Sequence, residues 1–408
     1  MENRKYVKPK LIAYRFVQMI AFFFSVFVYR RKILRNEIRR AKGPFVVIAN
    51  HQAAYDFANL IGTTRRRMSF VLSSSFYQSL PIQKLLDACG VIPKQQFQTA
   101  PSEMKRMRAV IETGQPLVIY PAGLMCEDGI STPIPGATYK LLRWLGVDVY
   151  MARTSGTYFV QSKWAHGFRP GRTYLDIYRL FTAQELSSLP AEEIRRKTEE
   201  ALQFDAYRDQ ERFWVKYRRG SDLNGLENVL YACPHCGKEF SIHVRNENTI
   251  FCEECGFEEE ADEYALLHNR KGIGQEVRYV SDWSRQIFSG VKEALKENDG
   301  FCLSESTKIH TLDERKHRFR EAGSGILTLT ARELILQGEI DGEPIDLHLS
   351  VNQFPTLPFV PGKQLELQNK NEIIRCVLDD GRKSMKLINC VKALYELNQT
   401  AKSMRQSG

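Results

Sequence analysis

The sequence predicts an α/β domain that is preceded by a hydrophobic arm and followed by two smaller modules. Strand and helix signals alternate from residue 43 to about 205, four cysteines form two CxxC pairs, and β-rich sequence follows residue 276. We therefore place the arm at residues 1–42, the α/β domain at 43–222, the cysteine module at 228–268 and a β-rich domain with a terminal helix at 276–408. A chain of 408 residues with 43% hydrophobic residues is long enough for two or three packed domains.

The arm carries all of the net charge of the chain. It holds twelve Lys or Arg and two Glu, whereas the other 366 residues contain 46 basic and 46 acidic side chains, so the chain has a net charge of +10. Between its basic flanks lies the apolar segment LIAYRFVQMIAFFFSVFVY, which as a helix would be about 28 Å long, just short of the ~30 Å hydrocarbon core. RRK follows this segment where a signal peptide would have small residues, so we do not expect cleavage.

These features favour a helix that lies in an anionic membrane surface, peripheral or monotopic, on the cytoplasmic face. The alternative is a helix buried against its own domain. A nucleic-acid-binding arm would have the charge but not the five phenylalanines, so we expect no nucleic-acid partner.

The α/β domain is predicted from apolar runs that are separated by helical patterns. Strands are predicted at PFVVIA, MSFVL, PLVIY, VDVYMA and RTYLDIY, and helices at LPIQKLLDACG, SEMKRMRAVIETG and PAEEIRRKTEEALQF. Ser102 is the expected N-cap of the second helix, and Gly90 is the expected end of the first. Ligand sites in α/β folds lie at the carboxyl ends of strands, which is where Asn50 and His51 fall.

The cysteine module predicts a structural zinc site. Its candidate ligands are two pairs separated by fifteen residues, namely Cys233, Cys236, Cys252 and Cys255. Two CxxC turns complete a tetrahedral Zn²⁺ site and leave no open position for catalysis. Residues 231–268 hold two basic and nine acidic side chains, a surface that repels phosphates and indicates a structural or protein-contact ribbon. The other five cysteines are scattered, as is typical of a reducing cytosol.

The last region is predicted to be β-rich. GILTLTARELILQG and LELQNKNEIIRCVLDDGRKSMKL alternate apolar and polar residues, with a turn expected at Asp380 and Gly381. A terminal helix is expected at INCVKALYELNQTAK. The pattern looks like a pleckstrin-homology-type fold, which could bind lipid, bind protein or only stabilise the chain.

Four blocks in the α/β region resemble the glycerolipid acyltransferases, whose best-known members are the 1-acylglycerol-3-phosphate acyltransferases. In chain order the blocks are ANHQAAYD, GVIPKQQF, IYPAG and GVDVYMARTSGTYF. The family has Asn-His with Asp five residues after the His, then Gly-x-Ile-Pro, Phe-Pro-Glu-Gly-Thr-Arg and a final hydrophobic strand. The first block matches fully, and the match covers residues 43–205, about 40% of the chain.

The resemblance implies acyl transfer from a thioester to a hydroxyl. His51 would be the general base, because imidazole titrates near neutrality, and Asp56 would orient it and stabilise the imidazolium. No serine or cysteine nucleophile is needed, since the acceptor hydroxyl itself attacks. The implied substrate-binding residues are Asn50, Lys94, Tyr120, Pro121 and Gly123.

The third block departs from the family pattern where the family binds phosphate. Ala122 replaces Glu, and Leu124 and Met125 replace Thr-Arg, while Gln96 stands at the distal Arg position of the second block. Charged forks suit phosphate, so two usual anchors are missing. The available substitutes are Lys94, Lys140 and Arg153, each of which would otherwise be a solvated surface charge.

Three functional hypotheses follow. The first is a membrane-surface O-acyltransferase of phospholipid synthesis, with acyl-CoA or acyl-carrier protein as donor and a lysophosphatidic-acid-like acceptor. The second is the same chemistry on a different lysolipid or amphipathic alcohol. The third is a non-catalytic membrane scaffold that uses the ribbon and the C-terminal domain. Retention of His51 and Asp56 favours the first two, and loss of the Glu and Arg positions favours the third.

Overall fold

The computed structural model describes residues 6–96, 100–298, 300–313, 315–369 and 372–407. The chain divides into two compact units. Unit 1 comprises Met1–Ser162 and Gly167–Gly220, and unit 2 comprises Lys163–His166 and Ser221–Gly408. The α/β region lies in unit 1, and the cysteine module and the β-rich region lie in unit 2.

Unit 1 is built on one mixed sheet. Its strands are β1 (Lys32–Asn36), β2 (Val46–Ala49), β3 (Ser69–Ser73), β4 (Ile92–Lys94), β5 (Leu117–Ile119), β6 (Val149–Ser155) and β7 (Tyr174–Phe181). The strand order is β1-β7-β6-β2-β5-β3-β4, with β6 and β7 antiparallel and the other neighbours parallel. Parallel neighbours bring the carboxyl ends of β2 and β5 to the same edge, where the first and third sequence blocks follow.

Helices cover both faces of this sheet. They are α1 (Leu11–Phe23), α2 (Phe57–Leu60), α3 (Ser74–Ser79), α4 (Gln83–Ala88), α5 (Pro101–Glu112), α6 (Ala137–Leu145), α7 (Thr157–Val160), α8 (Ala183–Ser188), α9 (Ala191–Leu202) and α10 (Ala206–Phe213). Val46 and Ile48 of β2 pack into one core cluster, while Val47 and Ala49 pack into another on the opposite face. Burial on both faces explains why the strand is a continuous apolar run rather than an alternating one.

The N-terminal arm has a helix and also a strand. Helix α1 continues as a π-helical turn over Phe24–Val28, and Leu11–Val28 is long and apolar enough to cross a membrane. One face of the arm is buried against the rest of unit 1, through Tyr14, Ala21, Ser25 and Tyr29. Strand β1, also within residues 1–42, pairs with β7 and joins the sheet. The charged sequence KILRN gives no apolar signal for this strand, because all five side chains are at least partly exposed at the sheet edge.

One local prediction is wrong, and another is confirmed in a different context. Helix α5 begins at Pro101 after Ala100, so Ser102 lies inside the first turn and is not the N-cap. A Pro at the first helical position needs no backbone donor, and the helix therefore starts two residues earlier than an N-cap at Ser102 would place it. The turn at Asp380 and Gly381 exists, but it leads from a strand into the terminal helix and does not join two strands.

Unit 2 contains a four-stranded and a seven-stranded antiparallel sheet. The small sheet consists of β8 (Ile242–Arg245), β9 (Thr249–Cys252), β10 (Glu258–Ala261) and β11 (Leu267–His268). The larger one, ordered β15-β14-β13-β12-β18-β17-β16, consists of β12 (Cys302–Asp313), β13 (Arg318–Thr330), β14 (Glu333–Ile340), β15 (Glu343–Ser350), β16 (Phe359–Val360), β17 (Gln364–Asn369) and β18 (Glu372–Leu378). Its helices are α11 (Val280–Lys296) and α12 (Lys383–Ser407).

The cysteine module packs against these helices. The Trp283 ring of α11 meets Phe257 edge-on at 5.6 Å, and its indole N–H donates to the Ala232 carbonyl at 2.8 Å. Lys386 of α12 forms an ion pair with Glu239 of the acidic module at 2.6 Å. The α/β domain, the ribbon-like cysteine cluster, the β-rich region and the apolar N-terminal helix are all present, so the predicted fold class is confirmed.

Candidate active site

The turn after β2 closes on the Asp56 carboxylate. Asp56 Oδ2 accepts hydrogen bonds from the backbone amides of Gln52 at 2.7 Å and Ala53 at 2.9 Å, and it lies 3.0 Å from His51 Nδ1. Residues five apart do not share a helix face. The carboxylate instead gathers the turn around itself before α2 begins, and this brings the two side chains together.

This contact leaves the other ring nitrogen of His51 available. Asp56 is 1% exposed, whereas the His51 side chain is 19% exposed. A carboxylate at Nδ1 favours the tautomer with the proton on that nitrogen, which leaves a lone pair on Nε2. Nε2 has no hydrogen-bond partner among the described residues. The arrangement is therefore suited to accept a proton from a bound hydroxyl.

Asn50 connects the end of β2 to β6. Its Nδ2 donates to the Thr154 carbonyl and its Oδ1 accepts from the Thr154 amide, both at 2.8 Å. The side chain is 3% exposed. Both polar atoms of Asn50 are thus engaged with a backbone 104 residues away, and they hold the start of the His51 turn against the neighbouring strand.

Gln52 anchors the other side of the same turn. Its Oε1 accepts from the Thr157 hydroxyl at 3.1 Å and from the Tyr158 amide at 3.2 Å, at the start of α7. The side chain is fully buried. The first and fourth sequence blocks are therefore linked by Asn50 and Gln52 on either side of His51.

The loop after β5 supplies the third block and encloses His51. The Tyr120 ring lies 4.6 Å from the His51 ring, and the Cys126 amide donates to the His51 carbonyl at 3.3 Å. Pro121 is buried, and Gly123 has a φ of +68°, a left-handed conformation that favours glycine. The structure thus brings Tyr120 together with the His51 pair.

The four cysteines of the ribbon converge on one point. All four sulfurs lie within 4.8 Å of one another, with Cys233 and Cys255 at 3.7 Å and Cys236 and Cys252 at 3.8 Å. A tetrahedral ion with metal–sulfur bonds of 2.3 Å requires sulfur separations of about 3.8 Å. The donor set and its spacing therefore fit a tetrahedral metal ion.

Local hydrogen bonds favour the thiolate at one of these positions. Burial opposes ionisation of Cys252, but hydrogen bonds from Ser241 and from the backbone of Cys255 and Glu254 lower the pKa of this thiol to about 7. The Ser241 hydroxyl lies 3.2 Å from the sulfur. Burial raises the pKa of the Cys233 and Cys255 thiols, so the lowered pKa is a property of Cys252 alone among these three ligands.

Comparisons with known proteins identify the region around His51. The acyltransferase family model matches residues 30–160, which include β2, the His51 turn and the loop after β5. This region is an acyltransferase domain. The match begins before the predicted domain start at residue 43, in agreement with the pairing of β1 in the sheet.

Two solved structures are similar to parts of the chain. The 1-acyl-sn-glycerophosphate acyltransferase PlsC from Thermotoga maritima is 17% identical with a TM-score of 0.39, covering 47% of this chain and 76% of that chain. The Ran binding domain of Nup2 from Ashbya gossypii is 13% identical with a TM-score of 0.20, covering 24% of this chain and 97% of that chain. No curated protein sequence matches the chain.

The candidate anchors for an acceptor phosphate lie on three different elements, β4, α6 and β6. Lys94 donates to the Gln95 carbonyl at 2.7 Å, and burial lowers the pKa of its amine while the charge of Glu103 opposes that shift. Arg153 pairs with Asp209 at 3.6 Å, and Lys140 is exposed on α6. Arg153 precedes Thr154, whose backbone binds the Asn50 side chain.

Gln96 has a structural contact in the acyltransferase domain. Its Nε2 donates to the Gly123 carbonyl at 2.7 Å, which ties the second block to the third. Ala122, Leu124 and Met125 are partly exposed in the same loop. The segment from Tyr120 to Cys126 therefore presents no charged side chain beside His51.

Sequence reasoning did not identify Gln52, Thr154 or Tyr29 as parts of this site. Gln52 lies between His51 and Asp56, so its position inside the block is a signal that could have found it. Thr154 acts through its backbone, and a backbone contact leaves no signal in residue type. Tyr29 belongs to the apolar segment of the arm, whose composition indicated only a hydrophobic helix.

Proposed function

We propose that the chain is an O-acyltransferase that moves a fatty acyl group from an acyl thioester to the free hydroxyl of a lysophosphatidic-acid-like acceptor. The observation that carries this proposal is the His51 Nδ1 to Asp56 Oδ2 contact of 3.0 Å, which leaves Nε2 free. Acyl-CoA and acyl-carrier protein are the proposed donor classes, and the reaction belongs to phospholipid synthesis.

In the proposed reaction His51 is the general base. Nε2 takes the proton of the acceptor hydroxyl as its oxygen attacks the thioester carbonyl carbon. The new carbon–oxygen bond forms, the carbon–sulfur bond breaks, and the imidazolium returns the proton to the leaving thiolate. Asp56 stabilises the imidazolium, while Asn50 and Gln52 hold the turn in place. We therefore propose a positioning role for Asn50, in contrast to the substrate-binding role that the resemblance implies.

The second candidate is the same reaction on a different lysolipid or an amphipathic alcohol. The uncharged segment from Tyr120 to Cys126 supports it, because a phosphate is bound best by charged donors. Tyr120, Pro121 and Gly123 would then shape an apolar wall beside the reacting hydroxyl. Lys94 remains the candidate cation for an acceptor phosphate.

The arm supports action at a membrane surface. Nine of its apolar side chains are each 42% to 86% exposed, namely Leu11, Ile12, Phe16, Met19, Ile20, Phe22, Phe23, Val26 and Phe27. The buried face of the same segment packs on unit 1, so the exposed face is the one available to lipid. We propose a peripheral or monotopic enzyme on the cytoplasmic face, where amphiphilic acceptors are found.

We also propose that the cysteine cluster binds structural Zn²⁺.

The test incubates the purified full chain with labelled acyl-CoA or acyl-carrier protein and a panel of charged and neutral lysolipids. We expect product from the wild type and a loss of about 10²–10⁴-fold in the rate with His51→Ala. His166→Ala, which removes an exposed histidine, is the matched control and should retain the full rate. Full activity of His51→Ala would contradict the mechanism. No transfer by the wild type to any acceptor would favour the scaffold hypothesis.

A further inference from the structure

Four buried polar atoms around His51 and Asp56 make no hydrogen bond of normal geometry with the described residues. They are Asp56 Oδ1, Gln52 Nε2 and the hydroxyl oxygens of Tyr29 and Tyr120. Asp56 and Tyr29 are 1% and 0% exposed. Buried polar groups are nearly always hydrogen-bonded, so four such atoms beside one proposed catalytic residue require an explanation.

The charge of the Asp56 carboxylate acts on the phenol groups of both Tyr29 and Tyr120. Burial is the largest cause that raises the pKa of Tyr29 well above its ordinary value, and the charges of Asp56, Tyr120 and Tyr55 raise it further. A hydrogen bond from the backbone of Tyr55, outside normal geometry, opposes the shift. Burial and the charge of Asp56 likewise raise the pKa of Tyr120. Both phenols therefore keep their protons near neutral pH and can act as donors toward the carboxylate.

Tyr29 reaches this position because the end of the arm is fixed to unit 1. Its carbonyl accepts from the amide and the hydroxyl of Thr173, both at 2.9 Å, just before β7. Upstream, the Ser25 hydroxyl donates to the Ala58 carbonyl of α2 at 2.5 Å, and the Phe24 ring lies 5.1 Å from the rings of Tyr29 and Tyr55. The segment that follows the exposed apolar helix thus packs directly on the residues around Asp56.

The two oxygens of Asp56 differ in their contacts. Oδ2 has three partners, the amides of Gln52 and Ala53 and the ring nitrogen of His51, whereas Oδ1 has none of normal geometry. An ionised carboxylate that orients an imidazole is held best when both oxygens accept hydrogen bonds. The hydroxyls of Tyr29 and Tyr120 and the Nε2 of Gln52 are buried donors of the same site that also lack a partner of normal geometry.

We propose that Tyr29 and Tyr120 are positioning residues that hold the Asp56 carboxylate through Oδ1, by their hydroxyls acting directly or across one buried water. This inference rests on the proposed role of His51 and Asp56. It makes the end of the membrane-associating arm a part of the catalytic centre, since Tyr29 belongs to that arm. Tyr120 also stands where the family pattern has Phe, so the hydroxyl is a feature of this chain.

The test compares Tyr29→Phe and Tyr120→Phe with the wild type in the full chain. Without a donor on Oδ1, the carboxylate is more basic toward the imidazolium and is less firmly oriented. We expect kcat to fall about tenfold with KM little changed, and the acid limb of the kcat/KM profile to move to higher pH by about half a unit or more. The double variant should lose less than the product of the two single losses, because both hydroxyls act on one oxygen.

The matched control is Tyr14→Phe. Tyr14 is another buried tyrosine of the arm, and its hydroxyl accepts from the Met68 amide at 3.1 Å. This variant should lower thermal stability and leave the acid limb unchanged. If Tyr29→Phe also lowers stability without moving the acid limb, its role is only structural and the inference is wrong. If the loss of kcat in the double variant equals the product of the two single losses, the two hydroxyls act independently, and this also contradicts the inference.

A second readout separates this inference from the proposed function. NMR of the chain with isotope-labelled histidine, with His51→Ala for assignment, follows the titration of the His51 ring without any turnover. A shift of its midpoint to higher pH in Tyr29→Phe supports the inference, and an unchanged midpoint overturns it. This result is obtained whether or not the wild type transfers acyl groups, so failure of the function and failure of the inference are distinguishable.

Discussion

The cysteine cluster and the His51 site are assembled over very different distances along the chain. Each cysteine pair is made by a single CxxC turn, and the four ligands fall within residues 233–255. The His51 turn is also short, but it is held by the Thr154 backbone, by α7 and by Cys126, and Tyr29 lies beside it. The spacing of the cysteines therefore defines a complete site, whereas the His51 block defines only the centre of one.

This difference has an energetic consequence. A metal can hold the ribbon because its ligands lie close together in sequence, so one bound ion organises the whole module. The His51 turn depends instead on hydrogen bonds to β6 and α7 that form only when the sheet is complete. Removal of one metal ligand should therefore destabilise the ribbon more than removal of one hydrogen-bonding side chain destabilises the His51 turn.

The largest effect is expected from removal of a metal ligand. Cys252→Ser should abolish tight metal binding and unfold the ribbon, because structural zinc contributes about 10–16 kcal/mol in small zinc modules. The measurement is metal content per chain together with amide exchange over residues 231–268. Cys302→Ser, at an exposed cysteine outside the cluster, is the control and should retain one ion per chain. If residues 231–268 stay protected from amide exchange in the absence of metal, packing on α11 is enough to keep the ribbon folded, and this prediction is wrong.

The next effect is expected from Asn50→Ala. It removes two buried hydrogen bonds of 2.8 Å and leaves the Thr154 backbone without partners, at a cost of about 2–4 kcal/mol in the free energy of unfolding. Chemical denaturation of the full chain measures this change, with Asn298→Ala at an exposed position as control. If stability is unchanged while KM rises, Asn50 binds substrate and our positioning role is wrong.

A smaller effect is expected at the membrane face of the arm. Replacing Phe16, Phe23 or Phe27 by Ser should weaken binding to anionic vesicles by about tenfold each, since each ring buries roughly half of its surface in lipid. Ile326→Ser, at a comparably exposed residue of β13, should have no effect. Substitution is preferable to deletion of residues 1–42, because the deletion would also remove β1 and Tyr29. If none of the three variants changes vesicle binding, the proposal that the exposed face of the arm binds the membrane is wrong.

The smallest effect concerns Glu259 in β10. Burial raises the pKa of this carboxyl to about 7, Glu276 adds to the shift, and the Val277 amide and His268 oppose it. A carboxyl whose folded pKa lies above its unfolded value favours folding at low pH, and this contribution is lost as the pH rises through about 7. Glu259→Gln should therefore stabilise unit 2 relative to the wild type at pH 8 by about 1 kcal/mol, after allowance for solvent screening, and not at pH 4. Thermal denaturation at the two pH values measures this, with the exposed Glu297→Gln as control. Equal effects at both pH values would show that titration of Glu259 is not the cause.

Sequence periodicity was sufficient for elements with a buried face and insufficient for elements at edges. The apolar runs at β2, β5 and β6 and the patterns of α5, α9 and α12 predicted real elements, because each buries a continuous surface. Strand β1 was missed since it is charged and pairs along one edge only. The start of α5 was missed by two residues because Pro101, not Ser102, sets it.

The sequence by itself determined the chemistry that is available: two CxxC pairs for a metal, an Asn-His and an Asp in one turn, and an apolar arm with basic flanks. These features are local, so residue type and spacing are enough to specify them. Only the tertiary structure decided how that chemistry is supported, by placing Thr154, Tyr120 and Tyr29 around the His51 turn. The Thr154 backbone meets the Asn50 side chain from 104 positions away in the chain, and such a contact exists only once the sheet has formed.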